Sequence, residues 1–368
     1  MPRLLNPGDP APWFTAPALG GNPAYSFATA AGRPILLLFM GTAAQAYSAE
    51  ALVVLARHRA LFDDAKACFF GVTVDPGDAA QGRIAQSVPG VRWFLDYEGA
   101  VSRAYGVVFE GDDASRYVPH WLLLDPAMQV VERRPIAEGE AIVARLVELV
   151  ERPPEAPAAP VLVVPRVFEP DLCRQLIALY EAHGGQESGF MRHEGGMTVT
   201  KMDHDVKRRS DHTIVDDRLR TALGHRIQTR LAPMIERAFQ FQATRIERWI
   251  VACYEAEVGG FFRPHRDNTT AGTAHRRFAC TINLNADGFD GGELRFPEFG
   301  RRTYRAPTGG AVIFSCSLLH EALPVTRGTR YAFLPFLYDE AGARLREQNL
   351  PLVSPELRNY RSGLAAEN

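Results

Sequence analysis

The apolar positions change their spacing along the chain, and each change marks a different kind of element. Ile35 to Met40 is an uninterrupted apolar run opened by Pro34 and stopped by Gly41, and Cys68 to Val74 is nearly so. Short apolar runs bounded by turn residues predict strands buried on both faces. Between them, Tyr47 to Phe62 places apolar residues at helical intervals and predicts a helix against the sheet. A helix near Gly99 to Tyr105, strands over His120 to Asp125 and Val130 to Arg133, and a helix from Glu138 to Val150 complete an open α/β layer.

Past residue 160 the pattern is different. Val161 to Val164 predicts a strand, and a helix begins near Pro170, where Glu169 and Asp171 supply acidic residues for the first turn. Val215 to Phe239 is helical in pattern, with Pro233 expected to bend or split it. Five strand-like segments follow: Arg245 to Tyr254, Phe278 to Asn285, Glu293 to Phe296, Gly310 to Ser315 and Arg330 to Tyr338. Two packed antiparallel sheets, the double-stranded β-helix or jelly roll, with helices outside, account for that spacing. Pro335 inside the last run implies an edge or a bulge.

Arg152 to Pro160 has no periodicity and is dense in proline, which predicts a stiff connector. The expected division is an α/β domain over 1–150, a connector over 151–160, a β-rich domain over 161–341, and a charged tail over 342–368 that packs as a short appendage or frays. A chain of 368 residues that is 46% hydrophobic can fill two cores. The net charge of -2 gives no general attraction to nucleic acid or anionic membranes. The longest apolar run is far too short to span a bilayer, and Met1 to Asn6 has no signal-peptide core. These features predict a soluble cytoplasmic protein without nucleic-acid or membrane partners. Cys68, Cys173, Cys253, Cys280 and Cys316 form neither a CxxC pair nor a disulfide framework and read as ordinary buried thiols.

The candidate chemistry lies in the β-rich half. In His265-Arg266-Asp267 an extended chain would point His265 and Asp267 to one side, and His320 offers a distant third ligand. Two imidazoles and a carboxylate on one face of an iron atom leave positions open for a chelating acid and dioxygen. His320 follows the apolar stretch Ala311 to Leu319, where an imidazole without a role would be costly. Arg330, ten residues on, opens the final strand, and its planar guanidinium suits a carboxylate.

Around these residues stand Ala252-Cys253-Tyr254, Gly259-Gly260-Phe261-Phe262-Arg263-Pro264, Ile282-Asn283-Leu284-Asn285, Gly291-Gly292-Glu293-Leu294-Arg295-Phe296 and Gly310-Ala311-Val312-Ile313-Phe314. With this ordered set the chain resembles the Fe(II)- and 2-oxoglutarate-dependent oxygenases, in their prolyl-hydroxylase-like branch, over roughly residues 160 to 340. The resemblance implies Fe(II) on His265, Asp267 and His320, the distal carboxylate of 2-oxoglutarate on Arg330, and contacts to this co-substrate from Tyr254 and Asn283. Thr281 is a further candidate, two residues from Asn283 on the same strand face. Ascorbate is a candidate additional cofactor. The implied reaction consumes dioxygen and hydroxylates a C–H bond of a peptidyl residue or small metabolite, releasing succinate and carbon dioxide. The alternative is a non-catalytic metal-binding or redox-adaptor protein.

His204, His212 and His275 have no partner spacing and read as surface or substrate-side residues. The basic run Lys207-Arg208-Arg209-Ser210 is either a solvated face or the mouth of a pocket for an anion.

The first half, from Asn6-Pro7-Gly8-Asp9-Pro10-Ala11-Pro12 onward, resembles a thioredoxin fold of the peroxiredoxin type over about residues 4 to 150, with Val118-Pro119 near the family's cis-proline. Such proteins carry a cysteine at the start of the first long helix. Here the corresponding stretch is Gly41-Thr42-Ala43-Ala44-Gln45-Ala46-Tyr47-Ser48, with no thiol at Tyr47 or Ser48. The domain is therefore expected to be redox-inactive, serving for partner docking or as a candidate homodimer contact.

Overall fold

The computed structural model describes residues 3–110, 115–153, 155 and 157–358. Within the expected connector, Pro154 and Ala156 lie outside the described residues, as does the end of the expected tail from 359 on. The chain divides into two compact units, Met1–Ala158 with Pro297–Gly300, and Ala159–Phe296 with Arg301–Asn368.

The first unit is built on a five-stranded sheet in the order Val91–Leu95, Cys68–Thr73, Ile35–Gly41, His120–Leu124, Val130–Pro135. The first three strands are parallel and the last two antiparallel. Period-two alternation sorts the central strand. Leu36, Leu38 and Met40 share a core with Leu55, Ile142 and Leu146 of the helices Ala46–Arg57 and Gly139–Glu151. Phe39 faces the other way and meets Tyr105 and His120. The edge strand Val91–Leu95 is a new element relative to the sequence reading. Its Arg92 disguises a buried strand, because both terminal nitrogens are taken up by the Asp64 carboxylate at 2.6 and 2.7 Å. The cis peptide bond among the described residues is Val88–Pro89, so Val118–Pro119 is not the cis site. Val118 N–H donates to Val107 O at 2.9 Å, and the chain runs from there into the strand His120–Leu124.

The second unit is a jelly roll. The larger sheet runs Leu162–Val164, Ala311–Ser315, Phe278–Asn283, Val325–Phe333, Ile250–Glu255, Ser210–Thr213, Gln186–Glu187. The smaller runs Lys207–Arg208, Phe261–His265, His320–Ala322, Leu294–Arg295, Thr303–Tyr304. On Ile250–Glu255, Val251 and Cys253 pack with Leu176 and Leu223 of the helices Pro170–His183 and Asp217–Arg226. Ala252 and Tyr254 instead join Phe289, Ala322 and Val325 in the roll's interior. Strand alternation thus delivers Tyr254 to the inside.

Several expected segments are divided in the structure. Arg245 to Tyr254 becomes Arg245–Glu247 and Ile250–Glu255, broken at Arg248 with φ of 71°. Arg330 lies within the strand Val325–Phe333 instead of opening it, and Phe336–Tyr338 is separate because Pro335 has no N–H to continue a ladder. Glu293 to Phe296 shrinks to Leu294–Arg295. Pro233 follows one π-type turn over Ile227–Leu231, which joins Asp217–Arg226 to Ala232–Phe239. The segment after 341 holds the helix Glu340–Asn349 and is tied down by Asn349 Nδ2 donating to Ala271 O and Ser354 N to Thr198 O.

His275 is a correction: it is 1% exposed, far from a surface residue. It and Arg276 both engage the buried Glu247 carboxylate. Burial opposes the charge on Glu247, but Arg276 and His275 outweigh it and hold the carboxyl well below its ordinary 4.5. Short sequence spacing hides such a cluster, since Glu247 comes from a distant strand.

Two outcomes follow from this packing. A Cβ added at Gly71 would stand 2.0 Å from the buried Trp93 ring. Gly71→Ala should therefore destabilise the first unit by about 1–3 kcal/mol, read as earlier unfolding by tryptophan fluorescence in urea. Glu247→Ala leaves Arg276 uncompensated and should cost about 3–5 kcal/mol. Because the folded pKa of Glu247 is depressed, its contribution is present above its ordinary 4.5 and lost as pH falls below it. The variant should accordingly show a shallower acid-side decline of melting temperature than the wild type.

Candidate metal and co-substrate site

In the smaller sheet, Phe261–His265 and His320–Ala322 pair antiparallel with His265 opposite His320. A register shift between Phe262 and His265 accompanies that pairing. The strand ends at His265, so the expected fully extended His-x-Asp is corrected. Asp267 lies just past the strand, fixed by its N–H donating to Cys316 O at 2.9 Å. The result is nevertheless convergent: ligand atoms of His265, Asp267 and His320 all lie within 4.8 Å of one another.

The two imidazoles are oriented in the same way. His265 Nδ1 is placed to donate to Arg263 O at 2.7 Å, and His320 Nδ1 to Leu318 O at 3.1 Å. Each Nε2 lone pair is thereby turned inward, 3.5 and 3.3 Å from the Asp267 carboxylate oxygens. Carbonyl partners of this kind fix tautomer and ring orientation in metal-binding histidines. Burial, reinforced by His265, pushes the His320 pKa down to about 4 and keeps the ring neutral. Burial disfavours a charged Asp267, but the basic groups around it, the Arg276 guanidinium among them, outweigh it and hold the carboxyl well below its usual range. Two imidazole nitrogen donors and one carboxylate oxygen donor suit a divalent metal such as ferrous iron. Behind them, Arg276 Nη1 donates to Asp267 O at 3.4 Å, and Arg266 Nη1 donates to Ser317 O.

A cavity opens over this triad, with Tyr254, Thr281, Arg209, Arg248 and Arg330 in its wall. Arg330 is 2% exposed, and its Nε and Nη1 have no hydrogen-bond partner. Its guanidinium stands 4.9 Å from the centroid of the Tyr254 ring. A Cβ on Gly292, at φ of 69°, would stand 3.0 Å from Arg330 Cδ, so the glycine makes room for the arginine. A buried cation with open donors is matched to an incoming carboxylate, which is the fit 2-oxoglutarate requires. Thr281 lines the cavity, whereas Asn283 is not in its wall and donates Nδ2 to Ala306 O at 2.7 Å.

The basic run separates residue by residue. Lys207 and Arg209 are buried, while Arg208 points out. Lys207 Nζ donates to Ser188 Oγ and Gly189 O, and burial together with Arg209 moves its pKa well down. The reading of a solvated face is corrected for these two residues. Arg248 was not among the site residues expected from sequence, whereas Arg209 belongs to the basic run for which a pocket mouth was one of the two readings. The alternation Lys207, Arg209, Asp211 was the available signal, because strand period places all three on one side. His204 lies at the surface beside Glu187, and His212 is half-buried against Gly184 O.

In the first unit, of the two positions where a nucleophilic thiol was expected, Tyr47 is exposed and Ser48 is fully buried, its hydroxyl donating to Met40 O at 3.4 Å. Beside it Asp78 accepts from Thr42, Thr73 and Arg83. Cys68 sits inside a strand, where burial pushes its thiol up to about 11.

Comparison with known proteins follows the same division. Residues 249–338 match the 2OG-Fe(II) oxygenase superfamily and residues 7–133 the AhpC/TSA family. A PKHD-type hydroxylase of Synechococcus sp. is 33% identical over 117 residues, covering 29% of this chain and 51% of that protein. The multifunctional procollagen lysine hydroxylase and glycosyltransferase of Rattus norvegicus is 31% identical over 195 residues, covering 50% of this chain and 24% of that one. The chain spans about half the length of the first curated relatives it matches. Among solved structures, a Pseudomonas putida prolyl-4-hydroxylase superposes with TM-score 0.37 at 18% identity, over 54% of this chain and 100% of that one. Mycobacterium tuberculosis AhpC superposes with TM-score 0.33 at 18% identity, over 40% and 94%. The jelly roll that brings His265, Asp267 and His320 together thus holds the stretch similar to the 2OG-Fe(II) oxygenase superfamily, and the amino-terminal sheet holds the stretch similar to the AhpC/TSA family, with no thiol at Tyr47 or Ser48.

Proposed function

We propose that this protein is an Fe(II)- and 2-oxoglutarate-dependent hydroxylase. The observation that carries this reading is the joint presence, on one cavity, of the converging His265, Asp267 and His320 and the unpartnered guanidinium of Arg330. When bound, ferrous iron and 2-oxoglutarate supply the oxidising chemistry: dioxygen is consumed, succinate and carbon dioxide leave, and a substrate C–H becomes C–OH.

The chain's own work is positioning and exclusion. His265 Nε2, His320 Nε2 and one Asp267 carboxylate oxygen hold the metal, with both Nδ1 positions already committed to carbonyls. Arg330 receives the far carboxylate of the co-substrate, and the Tyr254 ring beneath it fixes where the guanidinium lies. Thr281 offers a hydroxyl in the same wall. Phe262, whose ring centroid lies 3.5 Å from that of His265, and Phe314, 4.5 Å from His320, keep water from the back of the imidazoles. The AhpC/TSA domain serves as a docking or pairing platform, a reading supported by the absence of a thiol where the nucleophile would stand.

His265→Ala and Asp267→Ala should each abolish succinate formation from 2-oxoglutarate in the presence of Fe(II); full turnover by either variant would refute the ligand assignment. Arg330→Gln should raise the Kd for 2-oxoglutarate by roughly ten- to a hundredfold, measured calorimetrically with Mn(II) in place of iron, while metal affinity is kept.

A further inference from the structure

The basic side chains of the cavity outnumber what the co-substrate uses. Arg209, Arg248 and Arg330 all reach its wall, and Asp267 is the carboxylate among its described lining residues. Asp211, just behind the wall, accepts from Arg209 Nη2 at 2.7 Å and from Arg248 Nη2 at 3.2 Å with the same oxygen. One carboxylate thus serves two guanidiniums. Ferrous iron and doubly charged 2-oxoglutarate cancel each other, so the chain's own groups decide the balance: three guanidiniums against Asp211 and Asp267. One positive charge is left without a counterion in a largely buried space, an arrangement that is costly unless an anion arrives.

The geometry says where. Arg209 stands one step beyond the paired residues of Ser210–Thr213, next to Tyr254, with its guanidinium 5.8 Å from that ring and Nη1 3.4 Å from the Tyr254 hydroxyl. Its side chain is 4% exposed, and Nε has no partner. Arg248 approaches from the break between two strands. A non-glycine residue held at φ of 71° is a strained choice, and here it turns the side chain over Phe336 at 5.4 Å and into the cavity wall.

We propose that Arg209 and Arg248, held together by Asp211, form a carboxylate subsite for the substrate, which is a small carboxylic acid. This rests on the iron and 2-oxoglutarate reading of the same cavity and narrows it. Within a peptide only Asp, Glu and the terminal residue carry a carboxylate, whereas every free acid does, and the depth of Arg209 requires the anion to enter the cavity fully. The subsite also differs from the co-substrate's, since Asp211 bonds both Arg209 and Arg248, whereas Arg330 Nε and Nη1 have no partner.

The test uses the full chain loaded with Mn(II) and saturated with N-oxalylglycine, which occupies the 2-oxoglutarate position without turning over. Propionate and its isostere propionamide are added in turn, and paramagnetic relaxation of their protons is measured. Propionate should relax about ten times more strongly than propionamide. Arg248→Gln should bring propionate down to the level of propionamide while N-oxalylglycine still binds, and Arg209→Gln should do the same. Equal relaxation of acid and amide in the wild type, or an undiminished preference in Arg248→Gln, overturns the subsite. An acetylated pentapeptide with a free carboxyl terminus should relax less than propionate at equal concentration; the reverse order overturns the assignment to a small acid. Mn(II) that stays free by its EPR signal sinks the metal reading itself, and the subsite with it, whereas bound Mn(II) without a preference for propionate defeats the subsite alone.

Discussion

The pairing of Phe261–His265 with His320–Ala322 is the constraint on which the site depends. It sets two imidazoles from distant parts of the chain opposite each other, their ring centroids 4.3 Å apart and their planes tilted by 50°. Neither strand could do this alone, because a strand presents its residues in one line. The backbone then completes the work by spending the carbonyls of Arg263 and Leu318 on the outward ring nitrogens. The imidazoles are thereby ready to donate lone pairs inward before any ion arrives, which lowers the ordering cost of binding one.

Charge in the second unit is buried in small, matched groups. Glu247 is held by Arg276 and His275, and Arg276 also reaches the Asp267 carbonyl, so a structural cluster and the candidate metal site share one side chain. Asp211 restrains Arg209 and Arg248. Arg330 differs, with two donors open and its stem accommodated by Gly292. In a low-dielectric interior an open guanidinium is expensive, and it persists where a ligand supplies the missing anion.

The first unit shows the converse. Its sheet, its covering helices and its aromatic packing are intact, yet the chemistry associated with that kind of layer needs an exposed, stabilised thiolate. Ser48 is buried and bonded to a backbone carbonyl, and Cys68 lies within a strand with its pKa raised. A fold is set by many apolar positions, whereas reactivity hangs on one atom, so loss of that atom leaves the architecture untouched.

The sequence was enough for whatever depends on local periodicity or on residue type. Ile35–Gly41 and Cys68–Thr73 followed from apolar runs, Gly139–Glu151 from helical spacing, and the candidate trio His265, Asp267 and His320 with Arg330 from chemistry that few other side chains perform. What escaped was whatever depends on long-range neighbours. Val91–Leu95 was masked by Arg92, whose partner Asp64 is remote in sequence. His275 read as a surface or substrate-side residue because Glu247 lies on another strand, and Lys207-Arg208-Arg209 read as one charged run because only a pleated strand separates its members into inner and outer faces. Local sequence states what a side chain can do, but burial and partnership are properties of the space around it, and that space is made by segments far apart along the chain.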